Sequence, residues 1–257
     1  MLNLIKNEMI KTFSTKKMYV FYGIIVVFCL MISLTIILQP GEIIDKPTGQ
    51  AFPLILLKGL IGQIFPIFII ILSVDMITNE YRNGTFKLPL LHPVSRRKYI
   101  LAKIFSIILL TVSLLGVTLL SSYFMGSIFF GWGEGVTIDG NLYSSLDGIL
   151  KMLSYYGISI LPLAAFSMLS VVLALLFSNA GVAVGLSIGL LFALDVARQL
   201  LPNLGLYIIN STFYIFESLF NSSLYDTAFS QILLTLIYAF ISLIISDIII
   251  RKKEIIY

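Results

Sequence analysis

The chain has 257 residues, of which 58% are hydrophobic and 12% charged, with a formal net charge of +4. Soluble domains are about one-quarter charged, so an ordinary soluble fold is excluded. The charges cluster between long apolar runs, the pattern of a polytopic membrane protein, and the positive balance reflects topology and anionic lipid headgroups rather than nucleic acid.

Residues 1–17 mix Leu2, Leu4, Ile5, Met9, Ile10 and Phe13 at near-helical spacing with Lys6, Lys11, Lys16 and Lys17. This predicts an amphipathic helix lying on the inner membrane face. Residues 18–38 form the first predicted span, long enough to cross. The run is too long for a signal-peptide core and no small-x-small cleavage site follows it, so it is expected to be retained. It carries Cys29, the single cysteine of the chain, which cannot form an intrachain disulfide.

Gln39 to Gln50 is a predicted external loop, and Ala51 to Lys58 an apolar stretch at the outer interface, broken by Pro53. The second span is predicted over 59–77, with Pro66 as its kink. Lys58 sits so near the outer end that snorkelling to headgroups explains it better than a substrate site.

A basic loop follows over 78–98. With its flanks it reads Asp75, then Glu80-Tyr81-Arg82-Asn83-Gly84-Thr85-Phe86-Lys87, then Pro93-Val94-Ser95-Arg96 and on to Lys103. Its lysines and arginines hold it on the cytoplasmic side. Glu80 to Lys87 can form a short helix whose end charges suit its dipole, stopped by Pro89. Ser95 is a candidate N-cap for the next span. His92 has no cysteine or second histidine nearby, so no metal site is expected.

The third span is predicted over 104–130. Residues 131–147 are expected outside, with Trp132 and Tyr143 suited to an aromatic belt. The fourth span runs over 158–177 and carries Pro162. A turn of three residues leads to the fifth, over 181–197, in which Gly181, Gly185 and Gly189 share one helix face. Glycines four apart let another helix approach closely, in this chain or in another subunit. Asp195 and Arg198 are spaced to pair on one helix face, as are Asp247 and Arg251. Residues 200–226 are too interrupted for a span and are expected as short re-entrant or interfacial helices. Sequons at Asn210 and Asn221 are read as chance matches. The sixth span covers 232–250, and both termini are expected in the cytoplasm. Of the 17 basic residues, 13 fall in predicted inner segments, an asymmetry that fixes this orientation.

The order Asp75…Glu80-x-Arg82-x-Gly84-Thr85…Lys87…Pro93-x-Ser95-Arg96…Lys103 closely resembles the first cytoplasmic loop of ABC-2 type transporter permeases. The resemblance is sharp over this loop and topological elsewhere. It implies an all-α, six-span membrane domain of the type V exporter kind. An N-terminal interfacial elbow helix precedes the spans, and a cytoplasmic coupling helix lies between the second and third. It implies that Asp75, Glu80, Tyr81, Arg82, Gly84, Thr85, Phe86 and Lys87 dock into a groove on a separate ABC ATPase. Two permeases, identical or related, would pair with two ATPase copies in a bacterial cytoplasmic membrane. ATP and Mg would then reside on the partner.

The chain itself has no GxxxxGK[ST] phosphate loop, no Ser/His/Asp or HExxH constellation and no paired acids deep in a span, so an enzyme is not expected. Apolar spans fit a hydrophobic or amphipathic cargo such as a peptide, antimicrobial or lipid-like molecule. Two other classes compete. One is an antimicrobial immunity or sensing protein without transport. The other is an ATP-independent secondary transporter, which calls for polar midplane residues and internal repeats.

Overall fold

The computed structural model describes residues 1–38, 47–82, 96–138, 141–220 and 225–252. Within them the chain is an all-α bundle with one small hairpin. Helix α1 spans Leu2–Phe13, α2 Lys16–Leu38, α3 Phe52–Ile61, α4 Ile64–Arg82 and α5 Arg96–Phe130. Strands β1 (Gly135–Ile138) and β2 (Asn141–Ser144) follow, then α6 (Ser145–Leu176) and α7 (Ala180–Leu200). Short turns complete the chain: α8 (Pro202–Gly205), a 3-10 turn (Ile209–Tyr214) and α9 (Ile215–Phe220), before α10 (Tyr225–Lys252). Five helices are long and apolar enough to cross a membrane, and α3 with α4 makes a sixth if the bent pair is one span.

Helix α6 is the hub, packed along α4 and α10 and touching α5 and α7. Tyr155, Leu163, Phe166 and Val171 are buried on it. Two buried serine hydroxyls stay within the helix, Ser159 donating to the Tyr155 carbonyl at 2.8 Å and Ser170 to that of Phe166 at 2.9 Å, while the buried Tyr156 hydroxyl donates to the Pro53 carbonyl of α3 at 3.0 Å. Thr118 of α5 likewise stays within its own helix, donating to the Leu114 carbonyl at 2.8 Å. Each polar group is thus satisfied without water, as a hydrocarbon setting requires. By contrast α2, α7 and α10 keep most of their apolar surface outward, with at most 22% of their apolar windows buried. In a membrane that surface faces lipid or another subunit.

The second predicted span is not a single helix kinked at Pro66. It breaks at Gly62 and Gln63 into α3 and α4, bent by 53°. Pro66 is the third residue of α4, where its missing N–H would have had no intrahelical partner. At the break the Tyr214 hydroxyl packs against Gly62, where a Cβ would come within 2.6 Å of it.

Helices α5 and α6 begin earlier than their predicted spans. The N-cap of α6 is Ser144, whose hydroxyl accepts from the Asp147 N–H at 3.3 Å and donates to its carboxylate at 2.7 Å. The hairpin was not expected. It pairs Gly135 with Ser144 through Ile138 with Asn141, and it packs on the segment before α3. There Gly49 N–H donates to the Gly131 carbonyl at 2.8 Å. Gln50 donates to the Gly133 carbonyl and to Ser145, both at 2.9 Å. Asn210 is buried, which removes its sequon as a glycan acceptor; Asn221 lies outside the described residues.

Candidate functional site

Helices α4 and α5 flank the basic segment singled out by the sequence. Residues 83–95 lie outside the described residues, and with them Gly84, Thr85, Phe86, Lys87 and His92. Glu80, Tyr81 and Arg82 form the last turn of α4, so that helix runs into the segment without the break expected after 77.

What holds this end together is a pair of ionic contacts, one from α2 and one from α1. Lys17, at the start of α2, pairs with Asp75 of α4. Lys103 of α5 has no exposed surface. Its ammonium donates to the Met76 carbonyl of α4 at 2.7 Å and to Glu8 Oε1 of α1 at 3.2 Å, and lies 4.8 Å from the centre of the Tyr99 ring. A lysine this deep must be paired, because an isolated charge out of water is costly. Glu8 Oε2 is buried and has no partner among the described residues.

Helix α1 explains how Glu8 arrives there. Leu4, Ile5, Glu8, Met9 and Thr12 repeat at helical spacing and form its less exposed face, which packs on α5. Leu2 and Ile10, on other faces, are exposed and available to a membrane surface. The sequence reading grouped these apolar residues on one amphipathic helix and passed over Glu8. The usable signal was its sign: it is the sole acidic residue among the first 17. Lys103 was counted with the loop charges, although its place inside an apolar helix marked it as different.

The arrangement has a mechanical reading. Three elements, α1, α4 and α5, meet at the Lys103 cation, two turns into α5, and Lys17–Asp75 adds α2. The contacts thus tie four helices to one another at this end of the bundle.

The other singled-out residues fall elsewhere. Gly181, Gly185 and Gly189 are exposed along α7, and nothing lies within 4 Å of where a Cβ would stand on Gly185 or Gly189. They pack against no helix among the described residues. Asp195 and Arg198 pair at 3.2 Å and Asp247 with Arg251 at 2.8 Å. Lys58 meets Glu217 of α9 at 2.8 Å, so it has a protein partner rather than headgroups alone. Among the described residues no three His, Cys, Asp or Glu side chains group to hold a metal.

A family model described as a protein of unknown function, DUF2705, matches residues 20–256, and the chain belongs to that family. It is also similar to the uncharacterized protein YhcI of Bacillus subtilis (strain 168), 30% identical over 139 residues, which are 49% of this chain. The match covers 42% of that protein's length.

Proposed function

We propose that this DUF2705 chain is the membrane-spanning permease subunit of an ATP-binding-cassette exporter. Segment 83–95 and the last turn of α4 are the docking point for a separate ATPase. The observation that carries this reading is the junction at Lys103, two turns into α5, which ties α1, α4 and α5 together. A docking loop transmits work only if its flanking helices move as one body, and the junction supplies that stiffness. The loop's resemblance to ABC-2 permeases supplies the partner. Two permeases and two ATPases would rock the spans between inward-open and outward-open states, with both termini and the loop in the cytoplasm. Glu80, Arg82 and Lys87 would make polar contacts in the ATPase groove, Gly84 would permit close backbone approach and Phe86 would fill an apolar pocket. The apolar spans favour a hydrophobic or amphipathic cargo.

The test is purification in mild detergent from the native membrane, followed by mass spectrometry and an ATPase assay after reconstitution. A co-purifying ATPase with a phosphate loop, lost when Glu80 and Gly84 are replaced, is the expected result. A chain that purifies alone, or coupled hydrolysis unchanged by those replacements, would overturn the reading and favour a sensing or immunity role.

A further inference from the structure

A second polar site lies at the other end of α4. Where α3 and α4 break, a cavity of about 220 Å³ is lined by Gly62, Gln63, Asp195, Arg198, Asn210 and Tyr214, among others. That volume is below the roughly 300–1,000 Å³ that drug-sized ligands occupy, so the cavity suits one polar head rather than a whole molecule. Broken helices inside membrane proteins are tolerated where they line such cavities, and ligand sites recur there.

Its chemistry is specific. Asn210 is 2% exposed. Its Nδ2 donates to the Leu191 carbonyl at 3.2 Å, which fixes the amide orientation, because a carbonyl can only accept. Oδ1 is left buried with no partner among the described residues. It asks for an N–H or O–H donor. The Asp195 carboxylate, about one-quarter exposed, is a second acceptor on the same lining. Arg198 meets Asp195 through Nη2 at 3.2 Å, and its guanidinium carries five N–H donors in all. Its Cζ lies 5.9 Å from the Tyr214 ring centre. Burial pushes the Tyr214 phenol above its usual range, opposed by Arg198, so the phenol remains a donor. The cavity thus sets two acceptors beside an anion-binding group. Near Asp195 and Arg198 in the chain, on α7 and the turn after it, Val196, Leu200, Leu201, Leu204 and Leu206 are exposed.

We infer that this cavity binds the head of an amphiphile bearing a primary ammonium next to a phosphate, the chemistry of an ethanolamine phospholipid. The ammonium is held by Asn210 Oδ1 and Asp195, and the phosphate by Arg198. The apolar rim takes the acyl chains. A soluble phosphoethanolamine would satisfy the same polar groups. The inference does not depend on an ATPase, so it stands or falls separately from the exporter reading.

The experiment is native mass spectrometry of the full chain in detergent with equimolar phosphatidylethanolamine, phosphatidylcholine and phosphatidylglycerol. Phosphatidylcholine keeps the phosphate but has no N–H to give Asn210. Phosphatidylglycerol has no ammonium. The expected result is about tenfold more retained phosphatidylethanolamine than either, the effect of one charge-assisted hydrogen bond. Asp195→Asn should abolish the preference, and Arg198→Gln should lower retention of all three lipids together; both positions are partly exposed, so circular dichroism should stay unchanged. If O-phosphoethanolamine displaces the lipid, the head-group chemistry holds and the natural ligand is soluble. Equal retention of all three lipids by the unaltered chain would overturn the inference without any variant. So would a preference that survives Asp195→Asn.

Discussion

Lys103 of α5 donates to the backbone carbonyl of Met76 on α4 at 2.7 Å, with no part of its side chain open to solvent. A cation here is tolerated because Glu8 answers it from α1 at 3.2 Å. Removing one member of a buried pair leaves the other uncompensated. Lys103→Met is therefore expected to destabilise the chain by about 3–5 kcal/mol, and Glu8→Gln in the same background to restore part of that loss. A double-mutant cycle on unfolding in detergent or bicelles measures it. Additive losses would show that the two residues act independently.

The second contact at this end ranks far lower. The Lys17 side chain is 52% exposed and that of Asp75 24%, so solvent screens the pair. Lys17→Ala should change stability by no more than about 1 kcal/mol, and raised salt should reduce even that. The same unfolding assay, run at low and high ionic strength, separates the two contacts. A loss as large as that of Lys103→Met would mean that the junction rests on Lys17.

Two glycines of α5 make a contrast within one helix. A Cβ on Gly126 would stand 2.7 Å from the Gly49 carbonyl oxygen and 3.0 Å from Phe52 Cβ, while on Gly116 it would meet nothing within 4 Å. Gly126→Ala pushes against backbone and should destabilise by about 1–3 kcal/mol. Gly116→Ala should stabilise by about 0.5–1 kcal/mol through its better helix propensity. Opposite signs in melting temperature are the expected outcome. Equal shifts would deny the close crossing of Gly126 and Gly49.

The spans were legible because lipid leaves the sequence little freedom: about 20 apolar residues are needed to cross, and they stand out in any reading. The Asp195–Arg198 pair was legible for a similar reason, its spacing being local to one helix. The break at Gly62 was not. The run from Phe52 to Ile77 offers several candidate breaks, among them Pro53, Gly59 and Pro66, and the residue packed at the actual one, Tyr214, lies far along the chain. Pro66 drew attention because proline bends helices, yet its place in the first turn of α4 makes it harmless. Glu8 and Lys103 are 95 residues apart, and no periodicity links them. Strands of four residues, such as β1 and β2, are too short for an alternation to register.

The glycines of α7 bear on the proposed pairing with a second permease. Gly181 is partly spoken for: its N–H donates to the Asn179 side chain at 2.8 Å, as part of the helix cap. Gly185 and Gly189 have open space where side chains would be. Gly185→Leu and Gly189→Leu extend from a Cβ that meets no described atom within 4 Å and should leave unfolding unchanged. If a second copy packs a helix against this face, the same changes block close approach. Dimer formation in liposomes, read by single-molecule photobleaching, should then weaken about tenfold or more, equivalent to roughly 1.4 kcal/mol. A dimer that persists in both variants would remove α7 as the pairing face. A loss of folded protein would show that the glycines serve the chain itself, against the open space the structure gives them.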